Sequence, residues 1–135
     1  MEKSELKEFS KEDQKLIKEF LENEQMELEE IECTESEFYE TDALLIEASG
    51  NSEYYLVRDY DSFKDNVREF MYNDYSEYPY FYTEGIKSGD IDPVHTSFKD
   101  WIEQILDYDG LGQICSSYDG SENELSGNTV YFRTN

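Results

Sequence analysis

Carboxylates are the residues best equipped to do chemistry in this chain. The stretch "ENEQMELEEIECTESEFYETD", Glu22 to Asp42, holds ten of them and not one Lys or Arg. The base-free window is wider still, because after Lys18 the next cationic side chain is Arg58. Carboxylates take ammonium groups singly and guanidinium groups in a fork. A helix sets side chains three or four residues apart at about 5–6 Å, and duplex DNA carries about one negative charge per 1.7 Å of axis. Read as one polar helix face, Glu12, Glu19, Glu22, Glu29 and Glu30, followed by Glu32, Glu35, Glu37 and Glu40, form a charge ladder. A Lys- and Arg-lined nucleic-acid groove would accept such a ladder in place of phosphates. The plainer alternative is a solvated face or a general acid bias. A general bias would spread its acids evenly, yet Glu19–Glu53 has thirteen acids and no base, while residues 61–135 have fifteen acids and five bases.

A second constellation is "YNDYSEYPYFY", Tyr72 to Tyr82, which alternates rings with acids and small polar residues. Tyr75, Tyr78, Tyr80 and Tyr82 are the candidate contact residues. Rings can stack beneath a guanidinium while neighbouring carboxylates take its fork. Basic residues between the rings would suggest single-stranded nucleic acid, but the charges here have the opposite sign. Core filling accounts for part of the cluster, and both readings can hold together.

Other chemistries have less to stand on. His95 is the only histidine and lies in no nucleophile–base motif. No glycine-rich phosphate loop is present. Carboxylate pairs are too abundant for any to be diagnostic of acid–base catalysis, which needs one set apart by its environment. A non-enzyme without a cofactor is the expectation. Asp107, Asp109 and Gly112 fit positions one, three and six of a twelve-residue calcium loop. Leu111 and Tyr118 stand where oxygen ligands are needed, so calcium is only an alternative. Cys33 and Cys115 match no metal or redox spacing.

The elements that must position these residues follow from periodicity. Residues 10–32 read as an acidic helical part: Ser10 caps it, with Asp13 in the first turn, and Leu16, Ile17, Phe20 and Leu21 share a face. The pattern weakens after Asn23, so a kink or second short helix is expected. Cys33–Thr41 reads as a connection. A hairpin over 43–59 turns at Gly50–Asn51. Helices follow over about 62–73, capped by Asp61, and about 97–107, capped by Thr96 and stopped by Gly110. Between them lies a long aromatic connection with a helical turn near Phe81–Ile86. C-terminal strands are expected over about 112–133. The tetrapeptide SFKD occurs at Ser62–Asp65 and Ser97–Asp100; it is either a duplicated unit or shared helix-start chemistry, and only two copies exist. The fold class is α+β: one domain with a small antiparallel sheet flanked by three to four helices. Its expected core is Phe20, Leu44, Ile46, Leu56, Phe63, Val67, Phe70, Trp101, Ile102, Ile105, Leu106 and Phe132.

The totals bound the function. The 135 residues carry 11 basic and 34 acidic side chains, a net charge of −23. Solubility asks for roughly 2–8 charges in a small domain, and the excess repels itself. Twelve Tyr, eight Phe and one Trp argue for a folded chain rather than an acidic disordered one. No apolar run of about 18 residues is present, so no membrane span is expected. No signal sequence opens the chain, so a cytoplasmic location with reduced thiols is the expectation. The charge disfavours direct contact with nucleic acid or anionic membrane and favours a basic protein surface. Nothing in the sequence sets the oligomeric state.

Small size, one-signed charge, many tyrosines, an acidic start and no catalytic motif together resemble the counter-defence proteins of phages and mobile elements: anti-CRISPR proteins, antirestriction DNA mimics and inhibitors of DNA-repair enzymes. The resemblance is one of character over the whole chain, with no family motif. It implies a non-enzymatic inhibitor that occupies the basic nucleic-acid site of a host nuclease. The rival expectation is an acidic protein–protein adaptor, with or without calcium, unrelated to nucleic acid.

Overall fold

A computed structural model describes residues 1–135. The chain folds as α+β, with a five-stranded antiparallel sheet of strand order β1-β2-β3-β5-β4. The strands are β1 (Ile31–Phe38), β2 (Thr41–Ala48), β3 (Ser52–Val57), β4 (Asn123–Glu124) and β5 (Val130–Arg133). Six helices accompany them: α1 (Lys3–Leu6), α2 (Lys11–Glu24), α3 (Tyr60–Tyr72), α4 (Tyr78–Ser88), α5 (Phe98–Tyr108) and α6 (Gly110–Cys115).

The side-chain alternation of the strands divides the interior into two cores. Ile31, Cys33, Leu44, Ile46, Tyr54, Leu56 and Tyr131 pack with Leu16, Ile17, Phe20 and Leu21 of α2 on one face. Ala43, Val57, Val130 and Phe132 pack with Phe63, Val67 and Met71 of α3, Ile102 and Leu106 of α5, and Leu111 and Cys115 of α6 on the other. The sheet is therefore the middle layer of three. Each large apolar side chain taken fully from water contributes about 1.5–3 kcal/mol, so the layers bind one another through many such groups. Of the expected core, Phe70, Trp101 and Ile105 remain half-buried and the others are buried.

Several boundaries differ from the sequence reading. The helix expected over 10–32 ends at Glu24, where Gln25 turns left-handed (φ 57°) and its N–H is taken by the helix carbonyls of Glu22 and Leu21. Leu28–Glu30 is a single 3-10 turn. The expected connection Cys33–Thr41 is the body of β1, paired along its full length with β2 from Ile31↔Ala48 to Phe38↔Thr41. The first part of the strand region expected over about 112–133 is instead helical: α6 runs to Cys115, because Leu111 and Cys115, four residues apart, point into the core together. The aromatic connection is largely helix: α4 has Pro79 in its first turn, where a missing N–H is harmless, and Gly89 (φ 86°) as its left-handed C-cap.

The caps shift as well. Asp59, not Asp61, accepts the Ser62 N–H at the start of α3, and Ser97, not Thr96, accepts the Asp100 N–H at the start of α5. The two SFKD copies thus hold different positions: Ser97 is a cap, whereas Ser62 lies inside α3. The copies therefore do not share a capping role, although the aligned Val67/Ile102 and Met71/Leu106 are buried in both helices.

Candidate functional site

The acids of the Glu22–Asp42 stretch do not share a helix face. β1 takes three of the ten, Glu32, Glu35 and Glu37, and distributes them by strand geometry. Its even-numbered Glu32 sits directly across from Glu47 of β2, and Glu47 in turn from Glu53 of β3. Adjacent strands lie about 4.7–4.9 Å apart, so three carboxylates form a row across three strands. Glu32 and Glu47 are exposed and Glu53 is half-buried. Glu29 and Glu30 flank the row: the Glu30 backbone carbonyl accepts from the Ser49 N–H (3.2 Å) and Oγ (3.4 Å), which ties the 3-10 turn to the end of β2, while the Glu30 carboxylate accepts from the Glu27 N–H (3.1 Å). The one cation at this row is the Met1 amine, 3.6 Å from Glu32.

A further like-charge pair, Glu37↔Asp42, stands at the other end of β1. Like charges directly opposite one another destabilise a sheet. The β1–β3 meander therefore holds three such oppositions, Glu32↔Glu47, Glu47↔Glu53 and Glu37↔Asp42.

Glu35, midway along β1, belongs to an internal network instead. Arg58 donates through Nε and Nη2 to both oxygens of Asp13 (2.8 and 3.0 Å), and its Nη2 reaches both oxygens of Glu35 (3.0 and 3.1 Å). Asp13 is buried. The network pins α2 to the start of the β3–α3 connection and takes Glu35 out of the free acid set. Two acids of α2 are also committed to packing. Glu19 accepts from Ser126 N–H and Oγ (3.3 and 2.8 Å), and Glu24 accepts from the buried Tyr131 hydroxyl (2.6 Å). Glu22 remains free but lies among Lys11, Lys15 and Lys18 on the outer side of α2, away from the β1 acids.

Glu40 meets the tyrosine cluster. With Tyr39, Asn66, Glu69, Phe70, Asn73 and Tyr75 it lines a shallow cleft of about 330 Å³. Tyr39 and Glu40 form the two-residue β1–β2 turn, both with positive φ (51° and 60°). The Tyr39 ring packs edge-on against Phe63 and Phe70, and Phe70 meets Tyr75 at 5.8 Å between ring centres. Burial, with the nearby Cys115 sulfur second, raises the Tyr39 phenol well above its usual range, so it stays neutral. The cleft thus combines aromatic faces with two carboxylates.

The remaining tyrosines divide by burial. Tyr75 and Tyr80 are 74% and 63% exposed. Tyr78 and Tyr82 are half-buried, their rings against Trp101 at 6.4 and 5.6 Å, and the Tyr82 hydroxyl donates to the Thr96 carbonyl (2.6 Å). Phe81, also exposed, touches Tyr78 and Tyr80 and extends the aromatic surface of α4.

The residues weighed for other chemistries gain no partners. His95 is exposed and pairs only with Asp92 through Nδ1 (2.6 Å). Asp107 lies in α5 and Asp109 joins α5 to α6, so eight of the twelve residues from Asp107 are helical and do not form a calcium loop. No group of three or more His, Cys, Asp or Glu side chains is arranged to hold a metal ion. The Cys33 and Cys115 thiols are buried in opposite cores, and burial pushes each up to about 12.

Sequence reasoning missed Glu47 and Glu53 as members of the acid row. The signal was partial: a three-residue loop centred on Gly50 sets them opposite each other, as observed, whereas a two-residue Gly50–Asn51 turn would set Glu47 opposite Tyr54. Glu69 and Phe81 were missed as well, because only the packing of α3 and α4 brings them to the surface beside Glu40 and Tyr80. No protein-family model, no curated protein and no solved structure matches the chain.

Proposed function

We propose that this protein is a non-enzymatic inhibitor whose acidic, tyrosine-rich surface occupies the basic nucleic-acid-binding site of another protein, a host defence nuclease being the target class that its resemblance implies. The observation that carries the reading is the row Glu32–Glu47–Glu53 with its flanking Glu29 and Glu30. A solvated face needs no such register. Moving any one of these acids to an unopposed position would relieve repulsion at no loss of solubility. A surface that keeps its charges opposed gains field strength for a partner of the other sign, and such fields raise association rates by about 10–10³. Glu40 and Glu69 supply a second acidic site beside Tyr75, where a guanidinium can take a carboxylate and a ring together.

The test is the quintuple Gln variant of Glu29, Glu30, Glu32, Glu47 and Glu53. A partner captured from host lysate at low salt, with association followed by stopped-flow, should bind the variant at least about tenfold more slowly, and duplex DNA or guide-loaded nucleoprotein should compete with the wild type. An unchanged rate with competition intact would move the interface to the Glu40–Tyr75 cleft and α4. Capture of a partner with which no nucleic acid competes would favour the adaptor reading.

A further inference from the structure

The strongest feature outside the acidic surface is basic. Residues 1–18 carry five lysines and five carboxylates, so the whole net charge of −23 belongs to the rest of the chain. Lys3, Lys7, Lys11, Lys15 and Lys18 recur at three- or four-residue spacing along α1 and α2, and all five are exposed. The molecule's seven ion pairs include none of them. In a chain with three carboxylates for every base, five ammonium groups without a partner are the exception.

They surround a groove. Lys3, Lys7 and Lys18 rim a cleft of about 430 Å³ whose floor is Leu6, Leu21, Met26 and Leu28. Such a volume lies in the usual range for small-molecule sites, about 300–1,000 Å³. Leu6 and Leu21 are core residues with an edge open to the cleft, whereas Met26 and Leu28 are half-buried and packed only from beneath. Methionine adapts its shape to what covers it. Through Gln14 and Lys18 the cleft continues into a wholly polar one lined by Lys11, Lys15, Glu19 and Glu22. The acid on the apolar side, Glu27, is already engaged in capping the 3-10 turn at Leu28. Lysines thus rim an apolar floor, and the polar extension sets Lys11, Lys15 and Lys18 against Glu19 and Glu22.

We infer that this groove binds a single-chain anionic amphiphile, a fatty-acid-type anion whose alkyl tail lies along Leu6, Leu21, Met26 and Leu28 and whose carboxylate is held by Lys7 and Lys18. Charge complementarity fixes the head: unpaired ammonium groups accept an anion in charge-assisted hydrogen bonds. The floor of four apolar side chains, Leu6, Leu21, Met26 and Leu28, matches one alkyl tail. A bulk membrane surface is a poorer match, because the −23 carried by the rest of the molecule is repelled by anionic bilayers. This inference is independent of the inhibitor reading, since it uses none of the β1–β3 acids.

The full chain should be titrated with octanoate, decanoate, decanol and decyltrimethylammonium, each below its micelle concentration, following calorimetric heat and the Met26 methyl resonance. Decanoate should saturate one site, move the Met26 signal and bind about fifteenfold more tightly than octanoate, because each buried methylene adds about 0.8 kcal/mol. The Lys7→Gln, Lys18→Gln double variant should lose about tenfold or more for decanoate while decanol binding stays the same. Lys99→Gln, remote on α5, should change nothing. Both groove lysines are exposed, so the melting curve should hold. Non-saturable binding, equal affinity for decyltrimethylammonium, indifference to chain length, or an unaffected double variant would each overturn the proposal. So would association with phosphatidylglycerol vesicles in the absence of any binding of monomeric decanoate.

Discussion

Asp13 and Glu35 reach the same guanidinium, yet their settings differ. Asp13 is buried beneath Arg58, and Glu35 is 66% exposed at its side chain. Removing one partner from a buried pair strands the other in a poor solvent, whereas an exposed partner is replaced by water. Asp13→Asn should lower stability by about 2 kcal/mol and Glu35→Gln by less than about 1 kcal/mol, measured by urea unfolding. Among the β1 acids, Glu35 touches the fold through Arg58 and Glu32 through the buried Met1 amine, whereas Glu37 makes no ion pair. The tyrosines separate by the same logic. Tyr82→Ala removes a ring packed on Phe98 and Trp101 together with the hydroxyl bond to Thr96, and should cost about 2 kcal/mol. Tyr80→Ala should stay within about 0.5 kcal/mol, while weakening partner capture by about 2 kcal/mol if the ring is an interface anchor. Paired unfolding and binding curves for the two variants check both statements.

At the scale of elements, the β1–β2 turn breaks a local rule. A two-residue hairpin loop with both φ values positive is the province of Asn-Gly and Asp-Gly, and here it is Tyr39–Glu40. Each side chain forced into that region costs about 1–2 kcal/mol. The Tyr39 ring recovers energy by packing against Phe38, Phe63 and Phe70; the exposed Glu40 makes no such contact. Glu40→Gly should therefore raise stability by about 1 kcal/mol and the melting temperature by about 3 °C, and differential scanning calorimetry will read it. If Glu40 serves the cleft beside Tyr75, the same variant should bind its partner less well, trading stability against function. Elements of this kind mark where the sequence was readable and where it was not. α2, α3, α5 and the β2–β3 hairpin were legible because their apolar spacing and turn residues act locally. β1 was not: Ile31 and Cys33 point into one core and Phe38, at the far end, into the other, but Glu35 and Glu37 continue the first face, and the strand exists because β2 pairs with it. α6 hid behind Gly110 and Gly112, which look like a stop. Gly112 is in fact required by close packing, since a Cβ there would strike the backbone of Gly120 and Ser121. The acid row needed β1, and its Glu47–Glu53 half needed the three-residue loop that sets the β2–β3 register.

The whole molecule is shaped by repulsion that its two cores must outweigh. Salt shortens the reach of that repulsion, from about 30 Å at 0.01 M to about 10 Å at 0.1 M, so the melting temperature should rise across this interval, and calcium and magnesium should act alike because no cluster selects between them. Acid should act in two stages of opposite sign. Burial, with Glu124 beside it, raises the Glu122 carboxyl above its usual 4.5; such a group favours the fold when protonated, and that contribution is lost as pH rises through its folded value. Discharge of the crowded surface works in the same direction. By contrast, hydrogen bonds from Ser62, His95 and Arg68 lower Asp59, Asp92 and Glu103 respectively below their usual 3.8 and 4.5. Their contribution is present above those usual values and is lost as pH falls through the lowered ones. Stability should therefore climb as pH drops from 7, peak between about 4.5 and 6, and fall below about 4. Thermal melts across that range check the order of the two stages. The quintuple Gln variant gives the sharper form of the test, because it removes charge where the register opposes it. It should melt higher than the wild type at 0.01 M salt, and its salt dependence and its gain on acidification should both flatten. If it does so while association with the partner slows, the repulsion held in the β1–β3 meander is the same field that draws the partner in. If it flattens and association is unchanged, the field is a burden on the fold that the interface does not use.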